Sequence, residues 1–376
     1  MSAVTNLLSG RWTRPAVDAR RGLQAAAEWL ARAQDATGCG GVSAYYDATK
    51  RQWAGAYPET TGYIIPTFLR YAEFSGQHEY RERAIRMAEW ETAIQLPEGG
   101  VRAGTMDATQ IVPTIFNTGQ VLFGWLSAWQ QTQDARLHDS AMRAADWLVA
   151  AQDPDGAWRR YASPFAAQGV NTYNTRVAFA LARASQVLQK PRYLDAAVRN
   201  VQWALTQMQP NGWLQNNDLE DNERPLTHTI AYATRGILEV GSIAADGALI
   251  EAAARVAQAV ARTQRRDGAL PGRLDSTWQA ASRWTCVTGN AQMAIIWSRL
   301  AAETGEHAWK AAAERVNRFN LSIQNVTATD EAVRGGMPGS YPRSGGYMKN
   351  RYPNWAAKFF MDALMLQLQA GRLAHA

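Results

Sequence analysis

The residues of this chain best equipped for chemistry stand at the starts of apolar, helix-like segments. One start carries His228 and, a turn further on the same face, Tyr232; others carry Glu59, Asn117 with Gln120, and Tyr173, Asn174 and Arg176. Amide and guanidinium donors beside a neutral imidazole or a tyrosine are what proton abstraction next to a carboxylate requires. The donors neutralise the carboxylate while the base takes the proton. Asn117, Gln120, Asn174 and Arg176 are the candidate neutralisers. His228 is the leading base, since a helix N-terminus disfavours imidazolium and keeps the ring neutral, and Tyr232 or Tyr173 could carry the proton. On a uronate this chemistry is β-elimination or C5 epimerisation, which share their first step.

Hydrolysis of a glycosidic bond would instead need two carboxyl groups, about 5–5.5 Å apart for retention or roughly 6.5–9.5 Å for inversion. Glu59 is the one acid at the very start of such a segment, and Asp107, Asp275 and Asp47 in long loops are its candidate partners. A third reading is non-catalytic: a glycan-binding or scaffold protein. Further substrate contacts are expected from Trp158, Arg273 and Asn290, and from the last loop and the segment after it, with Arg343, Tyr347, Asn354 and Trp355. Against these stands a bland alternative, in which Asn117, Asn171, Thr227 and Thr288 only cap helices. Cys39, His228 and Cys286 lack the motif of a zinc site, and neither metal nor cofactor is expected.

The elements that must position these residues repeat. A helix-like segment ends at Gln34, Gln95, Gln152, Gln209, Gln264 and Gln324, at intervals of 61, 57, 57, 55 and 60 residues. Trp29, Trp90, Trp147 and Phe319 precede their glutamines by five positions, and glycine turns such as Asp-Pro-Asp-Gly156 follow. After each loop comes a second segment, apolar on most sides, whereas the first kind has one apolar stripe and a charged face. Striped helices lie outside and apolar ones inside. Six of each, in alternation, predict an all-α (α/α)6 toroid, one domain over residues 1–376 with repeats of about 58 residues. The outer-to-inner loops are long and the inner-to-outer ones short, so the long loops share one face, to which all inner helices present their N-termini. That mouth should attract anions.

Composition narrows the partners. The chain has 39 basic and 33 acidic residues, a formal charge of +6, with the basic residues dispersed. This favours an acidic glycan and argues against nucleic acid. No apolar run is long enough for a membrane span. The N-terminus lacks the pattern of a secretory signal and there are two cysteines, so a cytoplasmic location is expected.

The segment Tyr57-Pro-Glu-Thr-Thr-Gly-Tyr-Ile-Ile-Pro66, with Phe116-Asn-Thr-Gly-Gln120 and Thr288-Gly-Asn-Ala-Gln292, resembles the VpsJ-like proteins of bacterial exopolysaccharide gene clusters. More broadly the chain, from about Arg20 to Gln369, resembles the six-hairpin glycosidase superfamily of hydrolases, polysaccharide lyases and sugar epimerases. The resemblance implies a carbohydrate substrate, polysaccharide-biosynthesis proteins as partners, and a reaction that it leaves open.

Overall fold

The computed structural model describes residues 17–164, 166 and 169–374. The N-terminal stretch read above for a signal lies outside them. Twelve α-helices alternate as expected among the described residues. The outer ring is α1 (Ala19–Asp35), α3 (Glu79–Ile94), α5 (Ala135–Ala151), α7 (Pro191–Thr206), α9 (Gly247–Arg262) and α11 (His307–Ile323). The inner ring is α2 (Pro58–Ser75), α4 (Ile115–Thr132), α6 (Thr175–Leu188), α8 (Thr227–Ala244), α10 (Val287–Thr304) and α12 (Asn354–Ala374). Each inner helix packs on the next, α12 packs back on α2, and α1 fills the outer position beside α12, closing the (α/α)6 ring.

The repeating glutamine is what links neighbouring repeats. Its side-chain amide donates to the glycine-turn carbonyl just after its own helix and to a carbonyl of the next outer helix. Gln95 reaches Gly99 (2.9 Å) and Ser140 (3.0 Å); Gln152 reaches Gly156 (3.1 Å) and Ala196 (2.9 Å). Gln264 reaches Gly268 (3.0 Å) and Ala312 (3.1 Å), and Gln34 bonds Gly40 and Arg83 in the same way. Gln324 reaches Gly335 (2.8 Å) and Gly22 (3.0 Å), so the last repeat is fastened to the first helix. Gln209 departs from the pattern, with its backbone N–H on Trp213. The turn glycines are required twice over. Gly156 and Gly268 have φ +94°, and a Cβ on either would collide with the carbonyl of Arg199 or Arg315 on the next outer helix.

The long loops are tied down by short strands that sequence patterning did not single out. β1 (Tyr45–Asp47) pairs antiparallel with β2 (Gln52–Trp53) and with β7 (Arg351–Pro353), joining the first loop to the last. β3 (Val101–Arg102) pairs with β4 (Pro113–Thr114), and β5 (Thr285–Cys286) with β6 (Ser340–Tyr341). On the opposite face, the inner helices α2, α4, α6, α8 and α10 end in left-handed residues, Gly76, Gln133, Gln189, Ala245 and Gly305, which makes those turns short.

Gly268→Ala should destabilise the fold by on the order of 2 kcal/mol or more, because it combines backbone strain with a backbone collision. Thermal unfolding would check this, with Gly247→Ala, where a Cβ meets open space, as the neutral comparison.

Candidate functional site

Where the inner helices begin, the axis of the ring is filled with polar aromatic side chains around one carboxyl group. Tyr57 precedes α2 and donates a short hydrogen bond to Glu59 in its first turn. Tyr63, Tyr173, Tyr232 and Tyr347 lie close enough to Glu59 for the carboxylate to hold their hydroxyls protonated, although burial is the larger cause for each. Glu59 lies deep in the molecule without being solvent-excluded. Burial raises its pKa to about 7, against the opposing hydrogen bond from Tyr57. The group can therefore hold or release a proton near neutrality.

His228, in the first turn of α8, has its Nδ1 2.7 Å from Gln292 Oε1 on α10. The amide oxygen accepts, so Nδ1 carries the proton and Nε2 keeps its lone pair. Burial lowers the imidazole to about 4, leaving it neutral at ordinary pH, as expected from its position. Its ring lies 4.5 Å from that of Tyr232 and 5.6 Å from that of Tyr347. Phe116 holds Tyr232 and Tyr173 edge-on, at 5.0 and 5.3 Å. The Trp355 indole donates to the Tyr347 hydroxyl at 2.9 Å, which fixes that tyrosine over His228. His228, Tyr232, Tyr173, Glu59, Tyr347 and Trp355 therefore form one connected group.

Arg176 joins them from the second position of α6. It is 6% exposed, and its Nε donates to Gln120 Oε1 at 3.3 Å. The guanidinium lies over Phe123 (4.7 Å), Phe179 (5.4 Å) and Phe359 (6.0 Å). Burial, followed by the charge of Arg235, lowers it to about 10. Gln120 thus orients the arginine and is not itself a free neutraliser. Asn174 is buried at the junction of a 3₁₀ turn, Thr172–Asn174, with α6, beside this group.

Other expected contacts belong to the scaffold. Asn117 lies on the third residue of α4 and donates to the Arg102 carbonyl at 2.8 Å, fastening β3. Asn290 accepts from Leu270 N–H (3.1 Å) and donates to Asn320, while Asn354 donates to Ser43 O (2.9 Å) and Thr60 Oγ1 (2.8 Å). Trp158 is 2% exposed, with its indole on the Leu148 carbonyl, and is core. Arg273 is bound to Asp218 (3.0 Å) and the Arg224 carbonyl. Arg343 lies exposed on the last loop, its guanidinium on the Tyr352 hydroxyl. The capping alternative fails as well. The helices begin one or more residues before Asn117 and Thr288, and neither the Asn171 side chain nor that of Thr227 caps its helix. Thr61 and Thr118 instead accept from Val42 and Val101 N–H, and the glycines after them pack on Val121 and Val177 of the next inner helix.

The proposed hydrolytic partners of Glu59 are committed to their loops. Asp47 accepts from Thr49 and Lys50 N–H and pairs with Arg351; Asp275 accepts from Thr277 and Gln279; Asp107 takes the Thr105 hydroxyl. Among the described residues, no His, Cys, Asp or Glu cluster could hold a metal ion, and no helix is long and apolar enough to cross a membrane.

The space in the ring does not open where the loop lengths suggested. A cavity of about 490 Å³ begins at Tyr63, Tyr232 and Gln292, below the group just described, and runs along the axis past Arg176, Lys358 and Arg235. Its outer lining is Arg70, Gln186, Ser242 and Gln369, late in their inner helices and at least partly exposed. The opening is therefore on the short-loop face, and Tyr347, Trp355 and Tyr57 fill the axis on the other. Lys358 is among the functional candidates that the sequence reading left out of its site. It pairs with Asp362 at 2.8 Å; burial lowers Lys358 to about 7, while Arg70 and Lys358 hold Asp362 down to about 2 despite burial. The missed signal was charge at helical spacing inside otherwise apolar segments: Arg176 with Arg183, Arg235 with Glu239, and Lys358 with Asp362.

No protein-family model matches the sequence, and no curated protein sequence matches it. Among solved structures the fold is closely matched. The unsaturated glucuronyl hydrolase of Bacillus sp. GL1, responsible for the degradation of glycosaminoglycan, superposes with a TM-score of 0.75 at 17% identity, covering 94% of this chain and 97% of that one. The cellobiose 2-epimerase of Bacillus thermoamylovorans B4167 gives 0.74 at 12% identity, over 92% and 98%. A D-mannose isomerase gives 0.72 at 14%, over 95% and 100%. The fold shared with these structures is the (α/α)6 toroid.

The raised Glu59 pKa carries a stability signature. Its folded value of about 7 lies above the ordinary 4.5. The stability that protonated Glu59 supplies is complete below about 4.5 and is lost as pH rises through about 7, by up to roughly 2–3 kcal/mol. Glu91, buried and also raised, acts in the same sense. The measurement is therefore the difference between wild type and Glu59→Gln: the variant should gain relative stability between pH 5 and 8 in denaturant melts, and parallel profiles would contradict the assignment.

Proposed function

We propose that the chain is a carbohydrate-active enzyme that acts on an acidic, uronate-containing saccharide by abstracting the proton next to the carboxylate. The observation that carries this reading is Arg176, a buried guanidinium in the first turn of a helix, an end that disfavours cations. Arg176 has no carboxylate within ion-pair distance among the described residues and stands beside Tyr232. A uronate carboxylate on Arg176 would supply at contact the counter-charge that Asp362 and Glu239 give it only from further away, and would make the C5 proton more acidic. Tyr232, which lines the same cavity, then supplies a protonated hydroxyl, with the neutral His228 packed against it, ring to ring at 4.5 Å, as the base behind it. Return of a proton to C5 gives epimerisation; loss of the C4 oxygen gives an unsaturated product. The solved toroids that hydrolyse unsaturated glucuronides and epimerise sugars support a saccharide substrate by likeness of fold. The exopolysaccharide setting, polysaccharide-biosynthesis partners and a cytoplasmic location belong to this proposal through the VpsJ-like resemblance.

One observation favours a second reading. Glu59, with a pKa of about 7 and the Tyr57 hydroxyl on it, has the proton affinity of a general acid, which suits glycoside hydrolysis. Asp218, which like Glu59 acts on Tyr173, is engaged by Leu219, Glu220 and Leu226 N–H and by Arg273, so among the described residues no candidate second carboxylate is free of other partners.

The experiment is a panel of uronate oligosaccharides, followed by ultraviolet absorbance of unsaturated product, by reducing ends and by the epimer ratio. Proton abstraction predicts that Tyr232→Phe or His228→Gln lowers kcat by about 10²–10⁴-fold. Arg176→Gln should lower it by about 10²-fold or more with circular dichroism unchanged. New reducing ends without unsaturation, abolished by Glu59→Gln, would transfer the assignment to hydrolysis.

A further inference from the structure

The shape and charge of the axial cavity specify more than an acidic sugar. Six cationic side chains and two carboxylates line it. Four of the cations are ion-paired. Arg70 and Lys358 share Asp362, which also accepts from Thr67. Arg235 (2.6 Å) and Arg299 (2.9 Å) share Glu239. Arg70 on α2 and Arg299 on α10 reach carboxylates on the neighbouring inner helices α12 and α8, so these pairs need no ligand to explain them.

Arg176 and Arg183 are different. Among the described residues neither has a carboxylate within ion-pair distance; Arg183 reaches only Gln186 Oε1, at 2.8 Å. With Phe179 they occupy positions i, i+3 and i+7 of α6, one face of the helix, and all three line the cavity. Seven residues of helix separate the two guanidinium-bearing positions by roughly 10 Å along the axis. Phe123, Phe179 and Phe359 make the wall around the inner arginine apolar and aromatic. The volume of about 490 Å³ falls in the range of pockets for small ligands, and one end is closed by Tyr63, Tyr232 and Gln292.

We propose that this cavity is a blind, end-on site for a short saccharide of about two rings carrying two anionic groups. The ligand enters from the short-loop face, with one anionic group on Arg176 at the closed end and the other on Arg183 near the opening. The inference rests on the uronate reading above and gives it a substrate class and a direction of entry. A long polymer could be accepted only by its end, because the far side of the axis is filled by Tyr347, Trp355 and Tyr57. Arg183 and Gln186 are specificity and entry residues; neither touches the reacting carbon.

Calorimetry and stopped-flow binding with digalacturonate, galacturonate and neutral cellobiose as probes test this. Digalacturonate should bind, cellobiose at least about tenfold more weakly, and Arg183→Gln should bring digalacturonate close to the affinity of galacturonate, a loss of about tenfold. Gln186→Trp, an exposed rim substitution, should slow association by about tenfold or more, whereas Ser344→Trp, exposed on the last loop at the opposite face, should leave association unchanged. Absence of digalacturonate binding, equal affinity for cellobiose, or affinity untouched by Arg183→Gln would overturn the proposal; so would association indifferent to Gln186→Trp. Arg183 is partly exposed, so this variant should fold even if Arg176→Gln does not. Binding as described without turnover would refute the reaction while leaving the site standing, and turnover with Arg183 and Gln186 silent would do the reverse.

Discussion

Everything in this ring depends on a side-chain amide that bonds two carbonyls at once. At five of the six repeats the glutamine ending an outer helix holds its own glycine turn and the backbone of the next outer helix. The turn can approach that closely because its glycine has no Cβ. The tie sets the angle between consecutive repeats, and repeated around the molecule it brings α11 to α1. Closure then forces the inner helices together on the axis, where their side chains face one another.

That convergence explains why charge on the inner helices matters. A buried ion pair is weak evidence of added stability, yet an unpartnered buried charge is expensive. Glu239 and Asp362 each serve two cations, so four of the six axial cations have an ion-pair partner, while the axis as a whole stays positive. Arg176 is left over. Desolvation, Arg235 and its helix dipole oppose it, and Gln120, the phenylalanine faces and the more distant Asp362 and Glu239 compensate only in part. Tyr232 lines the axial cavity with Arg176, and the neutral His228 packs against it, ring to ring at 4.5 Å.

The repeat period, the alternation of apolar and striped segments and the loop lengths carry the toroid in plain view, since each is a local pattern copied six times. The group of His228, Tyr232, Tyr173, Glu59 and Arg176 was also legible, because chemistry-bearing residues recur at inner-helix starts. The position of the opening was not. It depends on the last loop folding inward, with Tyr347 seated on Trp355 and with β7 paired to β1, a contact between the two ends of the sequence. For the same reason Asn117, Asn290, Asn354, Arg273 and Trp158 looked available for substrate. Their partners are loop carbonyls, N–H groups and a carboxylate that no local pattern reveals.

The account stands or falls on whether a proton leaves the carbon next to a uronate carboxylate. The direct measurement is reaction of a short uronate oligosaccharide in deuterium oxide, with C5 followed by NMR and mass spectrometry. The account predicts enzyme-dependent deuterium at C5 of substrate or epimer, or an unsaturated product that has lost that hydrogen. Turnover that leaves the C5 hydrogen in place would contradict it.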